Sequence, residues 1–222
     1  MQLPNRTVIA AAIISALGVL AGEHLLWPLL SRGETAVPAT PGPVDIGFAQ
    51  SMALHHQQAI GMAQLMLDER PTPLVTLARS IAGAQLLELG EMRGWLRLWN
   101  APLVAERQGM EWMRLGSRPL DETLQRYLLD CQRAPTGMVG LATDDELNRL
   151  RLLDGRARDK HFLTLMLAHH QGAIPMAQFA AAEGRVPAVR DLAGRIVLEQ
   201  SEEIYRIQRT LAAIAALDAQ AD

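Results

Sequence analysis

Cysteine is nearly missing from this 222-residue chain: the single copy, Cys131, leaves no disulfide to staple the fold and one free thiol. Aromatic residues are also scarce, at 4% against 49% hydrophobic residues in all. With Ala, Leu, Met, Gln, Glu and Arg abundant, that scarcity favours helices over a β-sandwich. Neither sign of charge dominates, and a net charge of −3 lacks the basic surplus that a nucleic-acid partner requires. No Ser or Cys motif accompanies the histidines, so nucleophilic hydrolysis has no support and an enzymatic role is not indicated. No predicted long helix carries Glu-x-x-His, which counts against a di-iron or di-manganese oxidase, the least favoured of three functional classes.

One long hydrophobic run is present. Arg6 is followed by sixteen uncharged residues, Thr7 to Gly22, and then by Glu23 and Trp27. A helix of about 20 residues spans the hydrocarbon core, so residues 1–30 are predicted to be an N-terminal transmembrane anchor helix, with Arg6 on the cytoplasmic side. The alternative is a cleaved signal segment. Either way the rest is exported: it sits at the cell membrane facing outward, or is secreted or periplasmic after cleavage. Residues 31–43, with three prolines and two glycines, read as an extended linker.

The remainder, residues 44–217, is organised around a repeat. Asp45 to Gln64 and Asp159 to Gln178 share eleven identities in twenty positions without a gap. On a helical wheel Asp45, Met52 and His56 lie on one line, with Phe48, His55 and Met62 on its flank; Asp159, Met166, His170, Phe162, His169 and Met176 repeat this. His55 and His169 fall about 100° round from their neighbours, toward an adjacent helix. A second echo follows each copy, Gln85-x-x-Glu88 and Gln200-x-x-Glu203, each pair on one helix face. The pattern predicts an all-α fold: a four-helix bundle made of two duplicated hairpins, with a polar layer across its core. The repeats are placed at 44–99 and 158–217, with a connector over 100–157. Helices are expected over 44–69 and 73–99, with Thr72 as the second helix's N-cap, and a final helix from Pro187 to about Leu217. Within the connector, Thr143 and Glu146 form a capping box and residues 120–131 make a short helix.

Each copy holds Met, two His and a further Met: Met52, His55, His56, Met62 and Met166, His169, His170, Met176. Thioether and imidazole suit soft ions such as Cu(I) and Ag(I). Asp45, Asp159, Glu88 and Glu203 either accept hydrogen bonds from the imidazoles or bind a harder ion themselves. A metal ion, with copper the leading candidate, is therefore one expected partner, and the membrane through the N-terminal helix is the other. The competing reading is a structural or interaction domain whose buried His, Asp, Gln and Glu fix helix register without metal.

These motifs, M-x-x-H-H-Q-x-A-I-x-M-A preceded by D-x-x-F and followed by Q-x-x-E, resemble the domain of unknown function 305 family over roughly Val44 to Leu217. The resemblance implies a ferritin-like four-helix protein, exported and duplicated. It also implies copper or silver binding through His and Met, as associated with some members.

Overall fold

A computed structural model describes residues 40–105 and 109–220. The predicted membrane or signal segment, residues 1–30, and most of the linker lie outside them. Among the described residues there are six α-helices, a short 3₁₀ helix and no strand. No described helix is long and apolar enough to cross a membrane.

Helices α1 (Pro43–Leu65) and α2 (Val75–Leu98) form the first hairpin; α5 (Gly155–Glu183) and α6 (Pro187–Asp218) form the second. The hairpins meet through α1 against α5. These two run antiparallel, because each start reaches the other's end. Asp45, in the first turn of α1, accepts from the Val186 amide just past α5 at 3.0 Å. Asp159, near the start of α5, accepts from the Thr72 hydroxyl just past α1 at 2.7 Å. It follows that α2 and α5 point the same way, and a parallel pair needs a connection running the length of the bundle. The 100–154 segment supplies it.

That connector carries the 3₁₀ helix Glu111–Leu115, α3 (Glu122–Arg133) and α4 (Asp144–Leu152). The Thr143–Glu146 capping box is formed, with the Thr143 amide donating to Glu146 at 2.7 Å. The connector is stitched to the bundle by polar contacts where chain approaches chain. The Trp112 indole donates to Ser51 at 2.9 Å, Gln58 pairs with both backbone groups of Ala142, and the Tyr127 hydroxyl donates to the Gly172 carbonyl at 2.9 Å. Close approach needs glycine at two helical positions. A Cβ on Gly47 would lie 2.3 Å from Trp112, and one on Gly172 would lie 2.1 Å from the Val139 carbonyl oxygen.

Two helix boundaries differ from the sequence expectation. The first helix ends at Leu65, not Glu69: 3₁₀-type bonds close its last turn, and Arg158, almost fully buried, donates to the Leu65 carbonyl. A cation at a helix C-terminus is favourable there. The second helix begins at Val75, and Thr72 is not its N-cap. The Thr72 oxygen instead accepts from Leu74 within its own turn, at 3.0 Å, while its proton goes to Asp159.

The core is two apolar clusters, not one. Residues 44–53 of α1, 89–96 of α2, 173–180 of α5 and 189–196 of α6 contribute to the first. Residues 59–66, 74–81, 162–166 and Ile207 contribute to the second. What falls between them on all four helices is a single polar layer: His55 and His56, Gln85 and Glu88, His169 and His170, Gln200 and Glu203.

Gly172→Ala should lower unfolding stability by about 1–3 kcal/mol through overpacking against Val139. Gly90→Ala, in α2 with nothing within 4 Å of the new methyl, should raise it by about 0.5–1 kcal/mol. Urea midpoints for the two variants measure this, and shifts of the same sign would contradict the packing described.

Candidate metal centre

Within the layer all four imidazoles are fully buried. His55 and His169 meet at the α1–α5 contact, ring centroids 3.7 Å apart and tilted by 40°. His169 and His170 lie 6.0 Å apart by the same measure. The outer pair turn toward the flanking helices: His56 Nε2 lies 2.6 Å from Glu88 Oε2, and His170 Nε2 lies 2.5 Å from Glu203 Oε2. The Gln-x-x-Glu echo thus delivers one carboxylate to each half.

Hydrogen-bond chemistry fixes the protons. An ionised carboxylate only accepts, so Nε2 of His56 and of His170 carries hydrogen. The His55 carbonyl, which also only accepts, takes Nε2–H of His169 at 3.0 Å. In the neutral ring the other nitrogen, Nδ1, then presents a lone pair. Nδ1 of all four histidines is buried with no partner, and so is Nε2 of His55. The carboxamides of Gln85 and Gln200 are equally unpartnered at oxygen and nitrogen. Each orphaned buried polar group costs on the order of 1–3 kcal/mol. Burial, followed by the repulsion a second protonated ring would meet from His56 and His170, holds the His55 pKa well below its ordinary value. His169 is lowered the same way, by burial and then by its three histidine neighbours.

The methionines divide between the two clusters. Met52 and Met176 are fully buried in the first, beside Met92; Met62 and Met166 are fully buried in the second, beside Met66. Each apolar cluster thus carries one thioether from each copy, and no motif keeps its two together. Asp45 and Asp159 are a correction to the sequence reading. They accept from Val186 and Thr72 in the two hairpin loops and, for Asp45, from Gly42 just ahead of α1, eleven residues or about 16 Å along the helix from His56 and His170, and accept nothing from any imidazole. Met110, Met113 and Met138 of the connector are buried as packing in the first cluster.

Among the described residues no three His, Cys, Asp or Glu side chains converge as a finished ligand cage. Glu88 and Glu203 sit on the outer ring nitrogens, and that engagement disfavours a hard-ion carboxylate site. The orphaned Nδ1 atoms of His56 and His170, backed by a carboxylate on the opposite nitrogen, and that of His169, backed by a carbonyl, have the chemistry of an imidazole prepared for a soft ion of low coordination number. Sequence reading passed over Arg158, although its counterpart in the first repeat, Val44, is apolar, and that mismatch marks a role outside the repeat. It also left Gln85 and Gln200 out of the candidate ligands.

The fold and the layer define the class: a four-helix bundle of two hairpins, joined by a long crossover, around a buried core of imidazoles and carboxamides with carboxylates on its outer rings. The chain belongs to the family named Domain of unknown function (DUF305), whose model matches residues 45–211. It is similar to the crystal structure of a DUF305 protein from Streptomyces coelicolor described as secreted. The identity is 33%, with 78% of this chain and 94% of that one covered and a TM-score of 0.66. A DUF305 fragment from Deinococcus radiodurans matches at 27% identity over 78% of this chain and 98% of its own, TM-score 0.59. CopM in its Cu(I)-bound form matches at 26% identity over 76% and 96%, TM-score 0.54; the Cu(II)-bound form of CopM matches as well. No curated protein matches the chain.

Acid should unfold the metal-free protein in a window set by His55 and His169. Their folded pKa lies below the unfolded value of about 6.5, so the unfolded chain binds more protons. The stability they contribute is complete above that pH and is lost as pH falls below it. Asp68 and Glu183, held down to about 2 by Arg70 and by Ser117 with Arg118, weaken only at lower pH. Tm measured from pH 7.5 to 4.5 should fall in wild type and fall less steeply in a His55→Gln/His169→Gln variant. Parallel curves would contradict the assignment.

Proposed function

We propose that this protein is an extracytoplasmic binder of soft metal ions, Cu(I) above all, which it sequesters or delivers and does not turn over. The observation that carries the reading is the set of four buried Nδ1 atoms without partners at the bundle's centre. His55, His56, His169 and His170 are the proposed ligands. Thioethers from Met52, Met62, Met166 and Met176 stand in the apolar clusters on either side. Glu88 and Glu203 are the carboxylates that orient His56 and His170 and raise their basicity. Support also comes from the copper-bound CopM structures, which share the fold at about a quarter identity. The export reading draws support from the Streptomyces coelicolor relative described as secreted. An N-terminal anchor remains part of the proposal.

A second reading keeps the layer as a register device without metal. It is favoured by the absence of a converged three-ligand set among the described residues, and by the Glu88–His56 and Glu203–His170 bonds that tie each hairpin together. On that reading an apolar replacement of the layer would leave stability unchanged or higher.

The two readings part on one titration. With Cu(I) kept reduced, or Ag(I), at about 100 times Kd, binding adds about 2.7 kcal/mol and raises Tm by about 5–10 °C. His56→Ala/His170→Ala should abolish the gain, and Mg²⁺ should produce none in either protein. An unchanged wild-type Tm with both soft ions would leave the structural reading in possession.

A further inference from the structure

The seam between α2 and α6 gathers negative charge directly outside the imidazole layer. Glu88 and Glu203 touch the imidazoles with one oxygen, yet 10% and 13% of their side-chain surfaces reach solvent. Glu199, one turn before Glu203, is exposed in the same place. Partial burial and then the charges of Glu88 and Glu203 push its carboxyl above the ordinary value, so all three lie within interaction distance. Beside them Arg195 reaches across the seam to Glu91 at 3.1 Å, which leaves its charge already matched. Like charges so placed raise one another's energy, and Glu199, unlike Glu88 and Glu203, has no hydrogen bond to an imidazole that would offset this.

Acidic helix surfaces are ordinarily just solvated. What sets this one apart is what stands behind it. Gln85 and Gln200 are 2% and 3% exposed, and neither carboxamide has a partner. They lie three residues from Glu88 and Glu203, hence on the same helix faces. Going inward from solvent, the acidic side chain of Glu199 is thus followed by the part-exposed carboxylates of Glu88 and Glu203, which touch the rings of His56 and His170.

The geometry points to this seam as the portal through which a cation reaches the imidazole layer: Glu199 collects it, and the carboxamide oxygens of Gln85 and Gln200 receive it on the way in. The inference rests on the metal-binding reading and adds the route to it. Field focusing by a cleft of one sign acts on association rate and is screened by salt.

The test is the rate at which the full chain takes Cu(I) from a chromophoric Cu(I) chelator, followed by stopped flow at low ionic strength. Glu199→Gln should slow association about three- to tenfold, shift equilibrium affinity by less than about twofold, and lose its effect near about 0.5 M salt. Glu122→Gln, an exposed acid at the start of α3, should leave the rate alone. An unaltered rate in Glu199→Gln, an equal slowing in Glu122→Gln, or a loss of affinity at constant rate would each overturn the portal. A wild-type chain that takes up no Cu(I) would overturn the metal-binding reading and the portal together.

Discussion

An ionised carboxylate cannot donate a hydrogen bond, and most of this structure's chemistry descends from that constraint. Glu88 and Glu203 each sit on Nε2 of a buried imidazole, so the proton of His56 and of His170 is committed to the carboxylate and, in the neutral ring, the lone pair is left on Nδ1. The His55 carbonyl does the same for His169. Three of four rings therefore turn an unprotonated Nδ1 toward a region where no protein group meets it. A bundle stabilised by packing alone would fill such a layer with aliphatic side chains, as it does immediately above and below. Leaving it polar and unsatisfied is costly unless something polar enters.

Two hairpins with matching motifs bring one short pattern to a single layer. Each half supplies a His pair on its first helix and Gln-x-x-Glu on its second, and antiparallel pairing of α1 with α5 superposes the two layers at one height. The cross-ties at Asp45 and Asp159 fix that height: each half's aspartate holds the loop of the other half's hairpin. A slide of α1 along α5 breaks both ties at once. The halves are not identical, however. Thr72 answers to Val186, Met92 to Ile207 and Val44 to Arg158, so the two ends of the layer differ in what surrounds them. Pro175 stands where the first copy has Gly61, and α5 nevertheless runs through it as one helix.

Most of the fold was legible because hydrophobic period and repetition reinforce each other in this chain. The four long helices, the capping box at Thr143 and the meeting of His56 with Glu88 and of His170 with Glu203 all follow from spacing. The ends of helices were less legible, since Arg158 and Asp159 reach them from far along the sequence and override local cap signals at Leu65 and Thr72. The same long-range reach misled the reading of Asp45 and Asp159: they share a wheel line with the histidines, and a wheel is blind to height along the axis. The methionines show the limit in reverse. Their spacing suggested two sets, one per copy, whereas antiparallel packing deals one thioether of each copy to each cluster.

The central claim is that the layer's Nδ1 atoms are free lone pairs that receive a soft ion, and imidazole nitrogen NMR on the metal-free chain followed by addition of Ag(I) tests it most directly. The account predicts the Nε2–H tautomer at His56, His169 and His170, and displacement of the Nδ1 resonances of the layer's histidines on addition of the ion. Protonated Nδ1 at His56 and His170, or Nδ1 signals indifferent to Ag(I), would contradict it.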